Sequence, residues 1–98
     1  MSDDLIGRLA TSMREKRAAE RNEVVAQLGE YLQGMTRCDE ERRGLEEMTE
    51  ALVFRYVADR LAKQDEEGYR LFLNQLPEKL RPMAEKARRR FHDLYGTS

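Results

Sequence analysis

Between Glu50 and Leu61 the chain reads EALVFRYVADRL, a helical run that is apolar on nearly every side. On a wheel, Leu45, Met48, Leu52 and Tyr56 make one apolar stripe, and Val53, Phe54, Val57 and Leu61 make another on roughly the opposite side. Two stripes need two layers of cover. This helix is therefore expected to be either the centre of the fold or the carrier of a stripe that another chain covers. Arg55 and Asp59, four residues apart, are expected to pair along a narrow polar strip between the stripes.

The chain around this run has 98 residues, enough for one domain over residues 1–98 with a modest core. With 38% charged residues, two prolines, no tryptophan and few β-branched residues, it favours helix throughout. The first segment, from about Ser2 to Gly34, has Ser2 or Asp3 to cap its start and Gly34 to end it. Ile6, Leu9 and Met13 share a side with Val24, Leu28, Tyr31 and Met35, but Arg17, Glu20 and Arg21 interrupt the stripe. This spacing predicts one long helix with a solvated middle, or two helices if the chain breaks at Asn22.

Thr36 and Asp39 resemble a capping box ahead of a second helix, over Cys38 to Lys63. Asp65 caps a short third helix in which Tyr69, Phe72, Leu73 and Leu76 share a face and Leu71 points away. Pro77 stops that helix and Pro82 opens the last, whose apolar face is Met83, Ala87, Phe91 and Leu94, with Gly96 just past its end. The expected fold is all-α: a small helical bundle of four helices, or five, with a long N-terminal helix.

Lys and Arg total 18 against 19 Asp and Glu, giving a net charge of -1 and no global attraction to nucleic acid or an acidic membrane. One cysteine, Cys38, allows no intramolecular disulfide, and a cytoplasmic location fits best. No secretory signal pattern opens the sequence, and no stretch approaches the roughly 20 apolar residues of a membrane span.

Catalysis has little to stand on. The only histidine, His92, falls on the predicted polar side of the last helix, and Cys38, though near a helix start where a thiol can become reactive, reads as an ordinary half-buried cysteine. The acid runs at Asp39–Glu41 and Asp65–Glu67 lack the alternating spacing of a calcium loop and read as solvated helix starts, so neither metal nor cofactor is expected. Basic patches are more informative. Arg14, Arg17 and Arg21 project to one side of the first helix, and Lys86, Arg89 and Arg90 do so on the last. Either set suits phosphates, although basic residues late in a helix also complement its dipole.

Over about a dozen residues, the run LVFRYVADRLA resembles one in the small helical Hha and YmoA nucleoid-modulating proteins, provided one residue is gapped. A gap inside a helix turns every later side chain by about 100°, and no family is assigned on it. The resemblance implies a regulator acting through a DNA-binding partner, with Asp59 at the matching acid.

Taken together, the sequence points to a non-enzymatic protein–protein interaction module: an adaptor, inhibitor or regulatory subunit acting through an apolar helical face, on another protein or on its own copy as a homodimer. Val53, Val57, Leu61 and Leu71 are the expected partner-binding residues. The alternative is a small nucleic-acid-associated transcriptional regulator using Arg14, Arg17 and Arg21 or Lys86, Arg89 and Arg90.

Overall fold

The computed structural model describes residues 2–96, with side chains from Leu5 onward. These residues form four α-helices and no strand: α1 (Ser2–Arg37), α2 (Arg42–Ala62), α3 (Glu66–Gln75) and α4 (Arg81–Tyr95), with a 3-10 turn at Glu78–Leu80 before α4. The expected all-α bundle with a long N-terminal helix is present. Capping of α1 by Ser2 or Asp3 lies outside the described side chains.

Helix α1 runs unbroken past Asn22 and past Gly34. Gly34 serves close approach instead of ending the helix, because a Cβ there would lie 2.9 Å from Leu45 Cδ1 on α2. The Thr36–Asp39 capping box does not form. Thr36 Oγ1 donates to the Gln33 carbonyl at 2.7 Å inside α1, a local bond that leaves the hydroxyl unavailable for a cap. Accordingly α2 starts at Arg42 instead of Cys38, and its N-cap Glu41 makes no side-chain cap hydrogen bond.

Helix α2 is central, packing against α1, α3 and α4. Its two stripes, centred about 150° apart on the wheel, flank a buried middle. At about 100° per residue, Thr49, Val53, Tyr56 and Arg60 fall within about 60° of one another, and all four are buried. Thr49 and Arg60 are thus the middle of the buried face. Thr49 is accommodated by donating to the Leu45 carbonyl at 2.6 Å. Asp59 pairs with Arg60 and Lys63 instead of with Arg55.

Around this face gather Leu28 from α1, Tyr69, Phe72 and Leu76 from α3 and its end, Leu80 from the turn, and Ala84 and Ala87 from α4. Tyr56 and Phe72 stack with ring centroids 4.4 Å apart. Asp65 caps α3, accepting from the Gly68 N–H at 2.9 Å. Pro82 sits in the first turn of α4 and Gly96 closes it in the left-handed conformation, both as expected. Leu94, expected on the packed face, is 60% exposed.

Helix α1 outreaches its antiparallel neighbour by about fifteen residues, 36 against 21, or about 22 Å of overhang. The molecule is correspondingly long. Its radius of gyration is 15.8 Å, where a compact chain of this length has about 13 Å, and its longest dimension is 58 Å. Among the described residues no helix is long and apolar enough to cross a membrane.

Candidate interaction surface

The overhang carries the largest exposed apolar side chains of α1. Leu5, Ile6, Leu9 and Met13 are 62%, 64%, 57% and 54% exposed. They recur at helical spacing along one side, beyond the break that Arg17, Glu20 and Arg21 make in the stripe that Leu28 buries further down α1. The body ends where the turn after α2 meets α1: Met13, Lys16 and Arg17 face Arg60, Lys63, Gln64 and Asp65 across an open cleft of about 440 Å³. Residues 5–12 extend beyond that cleft.

This corrects the placement of the partner face on α2. Val53 and Val57 are fully buried and Leu61 nearly so, because α2 is covered from α1 on one flank and from α3 and α4 on the other. They hold the core together and are not presented to a partner. Leu71 does point outward, 39% exposed. It lies beside Arg14, Arg17 and Arg21 in a second, smaller cleft, apart from the Leu5–Met13 stripe.

Arg60 is the residue that counting apolar positions missed. Its side chain is only 5% exposed, yet its guanidinium donates to Asp59 at 2.6 Å and to Asp65 at 3.0 Å, and it lies 5.7 Å from the centre of the Tyr56 ring. Burial disfavours the charge, but the hydrogen bonds that Arg60 donates to Asp59 and Asp65 more than offset it, so Arg60 stays protonated. The Arg60 hydrogen bond, with help from Lys63, holds the Asp59 carboxyl below its ordinary range. For Asp65, burial pushes upward but the Gly68 N–H and Arg60 prevail, and the carboxyl is again held low. Burial raises the Tyr56 hydroxyl, with Arg60 and Arg21 pulling it partly back.

The turn that makes this cluster has a distinct backbone. Asp65 N–H donates to the Arg60 carbonyl and Gln64 N–H to the Leu61 carbonyl, the paired bonds of a Schellman ending, with Gln64 at φ 57° where glycine is usual. Three signals could have found Arg60: Asp65 as a cap, Asp59 beside it in sequence, and an arginine central in an apolar arc.

The basic patches differ from each other. Arg14, Arg17 and Arg21 line the smaller cleft with Asp65, Glu67 and Gly68 at the start of α3, so acids of the same chain offset their charge. On α4, Lys86, Arg89 and Arg90 are all exposed. Arg90 lies over the Phe54 ring at 4.9 Å, while neighbouring Arg88 covers Tyr69 at 5.0 Å and pairs with Glu66 at 3.2 Å. His92 is half-buried, its ring edge-on to Phe91 at 5.9 Å, and Cys38 is half-buried in the turn after α1. No group of three or more His, Cys, Asp or Glu able to hold a metal occurs among the described residues.

Comparison with protein-family models, with curated proteins and with solved structures gives no match for the chain. What can be said of function therefore rests on the surface itself.

Proposed function

We propose that the chain is a non-enzymatic interaction module, an adaptor, inhibitor or regulatory subunit working in the cytoplasm, that docks through the projecting arm of α1. One observation carries this reading: Leu5, Ile6, Leu9 and Met13 are each more than half exposed on a single side of a helix that extends past its own core. Scattered apolar residues on a surface need no explanation, but a continuous stripe usually marks an interface. Anchors at this spacing are the pattern of a helix laid against a groove or another helix.

Capture of the tagged protein's companions from a lysate of its own source, treated with nuclease, tests the reading. The expected result is a protein partner retained by the wild-type chain and lost by Leu9→Asp, with helicity unchanged. Equal capture by both chains would move the docking surface elsewhere.

A second reading, a nucleic-acid-associated regulator, is favoured by the exposed cations of α4, which line an open depression with Pro82 and Asp93. It predicts nucleic-acid binding that falls steeply with salt and is lost on reversing Lys86, Arg89 and Arg90 to glutamate. Binding indifferent to both would end it.

A further inference from the structure

We infer that the α1 arm takes an acidic amphipathic helix of another protein, with its apolar residues laid on Leu5, Leu9 and Met13 and its carboxylates set against the cations at the foot of the arm. The inference rests on the reading of the arm as the docking surface and names the chemistry of what docks there.

Position gives the first reason. At about 100° per residue, Lys16 falls between Leu5 and Leu9 on the wheel and Arg17 falls beside Ile6, so the side of α1 that is apolar from Leu5 to Met13 turns basic within one turn of Met13. Met13 belongs to both parts: it ends the exposed stripe and lines the cleft in which Lys16 and Arg17 meet Lys63 from the turn after α2. The stripe spans about 12 Å, with Lys16 about 5 Å further on. A segment lying along it therefore runs over the cations at its lower end. The side of a helix offers side chains and no free backbone groups, so the occupant must satisfy its own N–H and C=O groups, as a helix does.

Charge gives the second reason. Asp65 is taken up by Arg60 and by the Gly68 N–H, and Asp59 by Arg60 and, in an exposed pair that solvent weakens, by Lys63. Lys16 and Arg17 form no ion pair among the described residues, although Arg17 acts on Asp65 at longer range. Only Glu20 is left over against them in the cleft. Between Leu5 and Arg17 four cations stand against one acid, Glu15, which is turned about 120° away from Leu9. The acids at positions 3 and 4 of the sequence are at least about 18 Å along the helix from Lys16, beyond a Debye length at physiological salt. A second copy of the arm would bring the same cations with it, whereas an acidic occupant is drawn to them.

Selection from a display library of helical segments about five turns long, randomised on one face and presented to the full-length chain, tests the inference. Enriched segments are expected to repeat apolar residues three and four apart and to carry a pair of Asp or Glu in the adjoining turn. Binding of such a peptide should be lost with Leu9→Asp and fall at least about 10-fold with Lys16→Glu and Lys63→Glu together, and that doubly reversed chain should prefer the same peptide with its acids changed to lysine. Enrichment without acids, or an affinity that charge reversal does not move, would overturn the acidic partner while Leu9→Asp still judged the arm. Enrichment no greater on the wild type than on Leu9→Asp would overturn docking through the arm, and this inference with it. A wild-type chain at twice its monomer mass in light scattering at about 100 μM, dissociated by Leu9→Asp, would make a second copy the occupant instead.

Discussion

Gln64, at φ 57°, holds a backbone conformation that costs a side-chain-bearing residue about 1 kcal/mol or more. Gln64→Gly should therefore stabilise the fold by about 1 kcal/mol, raising the melting temperature by about 4–8 °C, as thermal denaturation would register. The neighbouring Arg60 behaves oppositely. Arg60→Ala leaves Asp65 without its buried counter-charge and opens a gap beside Tyr56, a loss of about 3 kcal/mol in denaturant titration; Arg60→Met, which refills the volume, should lose less. Asp59 and Asp65 are both held below their ordinary value of 3.8, so on acidification the unfolded chain takes up protons before the native one does. Their contribution is present in full above that ordinary value and is lost as pH falls through the lowered folded values. Asp65→Asn, which keeps a capping oxygen, should flatten the decline in stability between about pH 5 and pH 3. A decline as steep as the wild type's would remove Asp65 from the account.

At the scale of elements, α1 and α2 answer the same substitution differently. Val57→Asp puts a charge in the fully buried face of α2 and should unfold the chain, whereas Leu9→Asp on the arm should leave denaturant stability of the isolated body within about 0.5 kcal/mol. Helix order, the Asp65 cap, the stop at Pro77 and the ending at Gly96 were legible in the sequence because each depends on chemistry within a few residues. The face of α2 was not. Treating arginine and threonine as polar split one arc into two stripes, since the burial of Arg60 depends on Asp65 in the next element and that of Thr49 on its own Leu45 carbonyl. The partner face was misplaced for a related reason: an amphipathic stripe reads the same whether a neighbour covers it or not, and only the difference in helix lengths leaves Leu5 to Met13 bare.

For the molecule as a whole, elongation is the property that matters, and it is also the one a one-dimensional pattern conveys least. A helix segment without tertiary contacts is marginal in water, so amide exchange at residues 5–16 should be fast in dilute solution, while residues 24–35, packed on α2, stay protected. Slow exchange throughout α1 would contradict this. The overhang also has a phase. Because α1 is one unbroken helix, the direction in which the Leu9 side faces is fixed relative to the body by the number of residues between them. One residue inserted between Met13 and Arg17 would swing that side by about 100°, and seven, close to two whole turns, would return it to within about 20°. Partners that engage the arm alone would tolerate either insertion, whereas an assembly that must orient two bodies would accept seven and reject one, so the arm sets an angle as well as a reach.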